Sequence, residues 1–272
     1  MPDPSGAADT AGIADPPDSA AVADLVAARA RVLAAIDAAC ARSGRDPSGV
    51  TLVAVSKTVA APRLRAAVAA GLVTLGENRV QEAEGKAAAV PGASWHLVGP
   101  LQANKARRAV ALFDVIETVD SVALAVRLDR LAGELRPGHP LPVLLQVNVD
   151  ADPAKAGFRP GDLAAALPAL ARLPSLELRG LMTVGRFVAT AEKARATFRS
   201  LRTLAGALRV TSPNLGSALS MGMSHDYAVA VEEGATIVRV GRALFGERAS
   251  RVPQDLAPEP VRANDPGPAG LA

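Results

Sequence analysis

The stretch TLVAVSK at 51–57 places a lysine directly after a run of apolar, largely β-branched residues. Such a run is typical of a strand that is buried on both faces of a parallel sheet. The stretches LLQVNV at 144–149 and IVRV at 237–240 are nearly as apolar. Segments rich in Ala, Leu and Arg, with the spacing of helices, lie between such runs. The pattern therefore indicates an α/β protein.

Continued along the chain, the pattern predicts eight strands, each followed by a helix except where the chain ends. The predicted strands are 51–55, 72–75, 95–98, 115–119, 143–149, 176–182, 215–219 and 236–240. A further helix at 19–43 precedes them. This strict alternation predicts a single (β/α)8 TIM barrel with an extra N-terminal helix. An open doubly wound sheet is the alternative, but neither GxGxxG nor GxxxxGK[ST] follows any predicted strand.

The two ends of the chain differ from its middle. Residues 1–18 and 249–272 are rich in proline and have no apolar periodicity. Segments of this composition bury too little apolar surface to offset the entropy of ordering them. We therefore predict a disordered N-terminal extension at 1–18, a barrel at 19–248 and a disordered C-terminal tail at 249–272.

Composition excludes several classes of protein. The 272 residues include one Cys and three His, so an intrachain disulfide is excluded and a His/Cys metal site is not expected. The net charge of +3 is small and the arginines are scattered, which argues against a nucleic-acid partner. No run of about 18 apolar residues and no secretory signal is present, so we expect a cytoplasmic protein without a membrane partner.

Polar residues recur where the predicted strands end, which is the face of a barrel that carries active sites. Lys57 follows the first strand, and an amine held against a low-dielectric wall is a nucleophile toward aldehydes. The alternative is a solvated lysine that only ends a strand. The loops after the last two strands, SALSMGMSHD and VRVGRALFG, are rich in small residues. Backbone amides in such loops can approach a phosphate.

Eight blocks, in order, carry a resemblance to a known family. They are AVSKT at 54–58, LGENRVQE at 75–82, WHLVGPLQANK at 95–105, QVNVD at 146–150, KAGF at 155–158, LRGLMTV at 178–184, LSMGMSHDY at 219–227 and VRVGRALFG at 238–246. With these blocks the chain, over 22–248, resembles the pyridoxal phosphate homeostasis protein family. The fold of that family is similar to the N-terminal barrel of alanine racemase.

The resemblance implies that pyridoxal 5′-phosphate is the cofactor and that Lys57 carries it as a Schiff base. By the same resemblance, Ser220 and the backbone amides of Gly241 and Arg242 hold the phosphate. Arg239 then faces the pyridine nitrogen and Asn78 lies near the ring, whereas His96 and Met221 are weaker candidates for the pocket wall. His96 has an ordinary alternative as a hydrogen-bonded core residue.

Two positions depart from the family pattern. Arg242 stands where the family usually has a small hydroxyl residue, so a hydroxyl contact to the phosphate is missing there. His225 stands where the family often has Asp, and the sequence assigns it no role.

An arginine opposite the pyridine nitrogen stays protonated and cannot accept a proton from the ring, so the cofactor becomes a poor electron sink. Alanine racemase also takes a second acid–base group from an additional domain. The resemblance therefore implies a carrier or buffer in intracellular pyridoxal phosphate homeostasis, without strong turnover, that passes the cofactor to apo-enzymes, and we expect it to be a monomer. A weak racemase or lyase and a cofactor-sensing regulatory module are the alternatives.

Overall fold

A computed structural model of the chain describes residues 17–186 and 188–246. The predicted disordered segments fall outside these residues, apart from Pro17 and Asp18. Asp18 is the N-cap of the first helix, because its side chain accepts a hydrogen bond from the backbone N–H of Ala20. None of the helices in the described ranges combines the length and the apolar character needed to cross a bilayer.

The described residues form one closed barrel of eight parallel strands, in which each strand pairs with the next and the last pairs with the first. The strands are β1 (Thr51–Val55), β2 (Thr74–Glu77), β3 (Ser94–Leu97), β4 (Val115–Val119), β5 (Leu141–Gln146), β6 (Leu176–Met182), β7 (Ala218–Met223) and β8 (Ile237–Val240). Closure is made by β1 and β8, where Ala54 lies opposite Val240. The prediction of a (β/α)8 TIM barrel is confirmed.

Helices surround the barrel, and an additional one precedes β1 as the sequence predicts. They are α1 (Ser19–Ser43), α2 (Ala61–Ala69), α3 (Val80–Ala87), α4 (Ala106–Leu112), α5 (Val122–Leu135), α6 (Pro160–Leu170), α7 (Arg195–Thr211), α8 (Tyr227–Glu232) and α9 (Arg242–Phe245). Helix α1 ends at Ser43 and is capped by Gly44, whose φ of 64° lies in the left-handed region that glycine adopts without strain. Helix α1 then packs against α2, α8 and α9.

Strands β2 and β7 begin two or more residues later than the sequence predicts. Strand β2 was expected from residue 72, but Leu72 still donates its backbone N–H to Ala67 in the turn that ends α2. Strand β7 was expected at 215–219, yet Leu215 belongs to a turn closed on Ser212. The strand instead runs through Ser220 and Gly222, and small residues of this kind give little strand signal.

The main core lies between the strands and the helices and is built mostly from Ala, Val and Leu, as the low aromatic content leads one to expect. Its largest fully buried side chains include Leu25, Ile36, Phe113 and Phe198. A separate small cluster contains Val115, Leu144 and Met182. Successive side chains of a strand point to opposite faces of the sheet. Since Ile116 belongs to the main core outside the barrel, Val115 and its cluster face the barrel interior.

Gly180 in β6 gives a direct test of this strand register. Its φ is 150°, and an added Cβ would lie 2.0 Å from the carbonyl oxygen of Ala218. We expect Gly180→Ala to lower the free energy of unfolding by at least about 2 kcal/mol, through backbone strain and overpacking. The matched control is Gly206→Ala in α7, where nothing lies within 4 Å of the added carbon. Urea denaturation that gave equal midpoints for the two variants would contradict this register.

Candidate functional site

A cavity of about 630 Å³ opens at the carboxyl ends of the strands. Its wall includes Val55 at the end of β1, Asn78 just after β2 and Gly241 just after β8. This is the face on which TIM barrels place their active sites, and the volume is in the usual range for small-molecule sites. The position of the cavity therefore makes it the candidate binding site.

Five of the eight predicted site residues line this cavity. They are Lys57, Asn78, Arg239, Gly241 and Arg242. The two departures from the family pattern also meet here, because His225 lies in the wall together with Arg242. Arg186 adds a further guanidinium at the mouth, where its side chain is 54% exposed. The cavity is thus lined by one lysine and three arginines against one carboxylate, Asp226, and this excess of positive charge suits an anionic ligand.

The other three predicted residues do not line the cavity. Met221 is fully buried in the core between strands and helices. His96 is buried beside Glu117, with 2.7 Å between His96 Nδ1 and Glu117 Oε1. Ser220 is fully buried, and its hydroxyl has partners within the barrel. The predicted contact between Ser220 and a phosphate is therefore not favoured by this placement.

A buried chain of polar groups crosses the barrel interior and ends at Arg239. Ser220 Oγ donates to Glu117 Oε2 at 2.5 Å and accepts from Arg239 Nη1 at 2.5 Å. Arg239 Nη2 donates to the carbonyl oxygen of Thr183 at 2.8 Å. Since β4 and β7 are not neighbours in the sheet, the bond from Ser220 to Glu117 must pass through the interior. These hydrogen bonds fix the guanidinium of Arg239 against the cavity.

Charge compensation explains how these groups tolerate burial. Burial disfavours ionisation of Glu117, but hydrogen bonding and charge from His96, together with Arg239 and Ser220, outweigh it and hold the pKa of this carboxyl below its usual range. Burial lowers the pKa of Arg239, while the charges of Glu117 and Asp226 act in the opposite direction. An arginine nevertheless remains protonated, because a guanidinium group keeps its charge in proteins even when it is buried.

The sequence alone did not identify Glu117 or Ser224 as residues of this site. Glu117 is the only charged residue in the strand VIETV, and a charge within a buried strand is a signal that attention to strand ends overlooks. Ser224 lines the cavity, and its Oγ accepts a hydrogen bond from the Gly241 backbone N–H at 3.1 Å. Ser224 rather than Ser220 is therefore the hydroxyl next to the amide of Gly241.

Gly241 stands at a close approach of two strands. A Cβ on this residue would lie 3.3 Å from the carbonyl oxygen of Val55. Among the described residues, no cluster of His, Cys, Asp and Glu could hold a metal ion. The groups that line this cavity include a primary amine, guanidinium groups, the Ser224 hydroxyl, the His225 imidazole and the Asp226 carboxylate.

Comparison with known proteins agrees with this geometry. The model of the alanine racemase N-terminal domain matches residues 21–249. The pyridoxal phosphate homeostasis protein of Pseudomonas aeruginosa is 45% identical over 224 residues, which cover 80% of this chain and 94% of the relative. The protein of the same name from Escherichia coli is 38% identical over 225 residues, with the same coverage of each chain.

A solved structure resembles the barrel as well. It is PipY of Synechococcus elongatus with pyridoxal phosphate bound, which is 46% identical to this chain. The TM-score is 0.72, and the match covers 82% of this chain and all of PipY. On these grounds the chain belongs to the alanine racemase N-terminal domain family and, within it, to the pyridoxal phosphate homeostasis proteins.

Proposed function

We propose that this chain binds pyridoxal 5′-phosphate in the cavity, holds it as a Schiff base on Lys57 and acts as a carrier or buffer in intracellular pyridoxal phosphate homeostasis. The observation that carries the proposal is the meeting of Lys57, Arg239 and Gly241 in one cavity. The names of the relatives and the ligand in the PipY structure support it. Apo-enzymes that receive the cofactor are the partners we expect, and a monomer in the cytoplasm is the expected working form.

The residues present fit the cofactor at each of its ends. The Lys57 amine supplies the nucleophile for the aldehyde. The backbone N–H groups of Gly241 and Arg242, with the hydroxyl of Ser224, are suited to the phosphate, and the Arg242 guanidinium adds a charge-assisted donor in place of the family's hydroxyl. Ser220 and His96 contribute indirectly, because they hold Arg239 and Glu117 in place. Asn78 lines the same wall, on the β2 side.

Arg239 also decides what chemistry the bound group supplies. Arg239 is 4% exposed and its guanidinium is charged, so a pyridine nitrogen placed against it would stay unprotonated. A neutral pyridine withdraws few electrons from the substrate carbon, which disfavours transamination. This favours a carrier over an enzyme. A weak racemase or lyase is the second candidate, because His225, a side chain that can exchange protons near neutral pH, lines the same cavity as Lys57.

Turnover measurements separate these two candidates. We expect racemisation and transamination of amino acids by the loaded protein to stay well below about 1 s⁻¹, which is the lower end of the ordinary enzyme range. Exchange of the α-proton in heavy water, followed by NMR, measures this directly, with free pyridoxal phosphate as the baseline. A rate of 1 s⁻¹ or more that disappears in His225→Gln would establish the enzyme instead.

The phosphate and the aldehyde ends are separable by mutation. We expect Gly241→Val to weaken the binding of pyridoxal phosphate roughly ten- to hundredfold. The substitution should remove a charge-assisted contact to the phosphate, and such a contact is worth about 1.5–3 kcal/mol. The affinity for pyridoxal, which has no phosphate, should change little. Lys57→Ala should instead abolish the imine absorbance band and still leave some noncovalent binding of the phosphate ester.

The control for Gly241→Val is Gly161→Val at the start of α6, where nothing lies within 4 Å of an added Cβ. Thermal denaturation of both variants separates lost affinity from lost stability. If a folded Gly241→Val protein lost affinity equally for pyridoxal phosphate and for pyridoxal, the phosphate site would lie elsewhere.

A further inference from the structure

Thr58, the residue after Lys57, has a strained backbone. Its φ is 67°, and only one other non-glycine residue in the described ranges, Ala151, has a positive φ. A β-branched side chain rarely adopts this conformation, and it persists only where the surroundings hold it. The strain therefore indicates that something fixes the chain immediately beside Lys57.

Side chains of α3 hold the peptide groups on both sides of Lys57. Lys86 Nζ donates a hydrogen bond to the carbonyl oxygen of Ser56 at 3.0 Å, which is the peptide group before Lys57. Glu82 Oε2 accepts from the backbone N–H of Thr58 at 3.2 Å, which is the peptide group after it. The two side chains stand one helical turn apart, with 3.9 Å between Lys86 Nζ and Glu82 Oε2.

A third side chain, on β2, fixes Lys86 in turn. Glu77 is fully buried, and its Oε1 accepts from Lys86 Nζ at 2.7 Å and from Ser56 Oγ at 2.6 Å. Burial raises the pKa of this carboxyl, although the hydrogen bonds from Lys86 and Ser56 act in the opposite direction. Its Oε2 is buried and has no hydrogen-bond partner among the described residues.

Stability is a poor explanation for such an arrangement. A buried ion pair of this kind generally adds no more stability than a well-packed apolar pair of the same volume, and an unsatisfied carboxylate oxygen has a cost of its own. Position is a better explanation. Lys86 and Glu82 bond the backbone at Ser56 and Thr58, the two neighbours of Lys57, and Glu77 bonds the hydroxyl of Ser56.

We propose that Glu82 and Lys86 are positioning residues for Lys57, which hold the Ser56–Thr58 turn so that the lysine amine enters the cavity at a fixed place. The inference rests on the proposed function. In that reaction the amine nitrogen adds to the aldehyde carbon of pyridoxal phosphate, a C=N bond replaces the C=O bond, and the oxygen leaves as water. Holding the amine in place makes this condensation effectively unimolecular once the ligand is bound.

The test compares two ligands that differ only at the reacting carbon. Pyridoxal 5′-phosphate can form the imine, whereas pyridoxine 5′-phosphate carries an alcohol there and can only bind. We expect Glu82→Ala to reduce the rate of imine formation, followed by stopped-flow absorbance, roughly ten- to hundredfold, as small misplacements of reacting groups do. Its affinity for pyridoxine 5′-phosphate, followed by calorimetry, should stay unchanged.

Matched variants separate position from charge and from general damage. Glu82→Gln keeps an oxygen that can accept from Thr58 and should restore the rate. Glu84→Ala removes the same charge from the same helix, but at a surface pair with Arg108, and should behave as the wild type. The double variant Lys86→Met with Glu77→Gln removes the buried pair without leaving an unpaired carboxylate, and it should also slow imine formation while the alcohol still binds.

Two results would overturn the inference. One is a rate of imine formation in Glu82→Ala and in the double variant equal to that of the wild type. The other is an equal loss of affinity for pyridoxal 5′-phosphate and for pyridoxine 5′-phosphate, which would indicate a general structural role. The proposed function fails separately, if wild-type protein forms no borohydride-stable product at Lys57.

Discussion

Closure of the barrel is the constraint on which the rest of this structure depends. Pairing of β1 with β8 sets Ala54 beside Val240, so the loops that leave these two strands begin side by side. Lys57 and Gly241 lie far apart in sequence, yet they enter the same cavity because of this single register. A shift of one residue would turn Val55 and Arg239 to the other face of the sheet. The strand register thus determines the distance between the amine and the candidate phosphate site.

The barrel interior adds a second constraint, which is electrostatic. Arg239 is charged and almost fully buried, and it depends on the carboxylate of Glu117, reached through Ser220 from the opposite side of the barrel. An apolar interior would be easier to stabilise, since burial of charges has a large desolvation cost. Val115, Leu144 and Met182 form an apolar cluster in one part of the interior. Polar groups occupy the part of the interior that adjoins the cavity, where they fix the direction of a guanidinium.

Much of this could be predicted from the sequence. Apolar strands alternating with helices indicated the barrel, the end of the first strand indicated Lys57, and the family resemblance indicated Asn78 and Arg239. The choice between Ser220 and Ser224 could not be predicted, because the register of β7 against β8 shifts between Ser220 and Met223 and Gly222 has a φ of 91°. Such a shift changes which side chains face inward. The role of Glu117 was equally hidden, since its partner Ser220 is distant in sequence and only the closed barrel brings them together.

The most direct test of the central claim is to identify the residue that carries the cofactor. Purified protein is incubated with pyridoxal 5′-phosphate, reduced with borohydride and digested, and the modified peptide is located by mass spectrometry. The account predicts one pyridoxyl group per chain, on the peptide that contains Lys57, and none in Lys57→Ala. Modification spread over exposed lysines such as Lys193, or undiminished in Lys57→Ala, would contradict it.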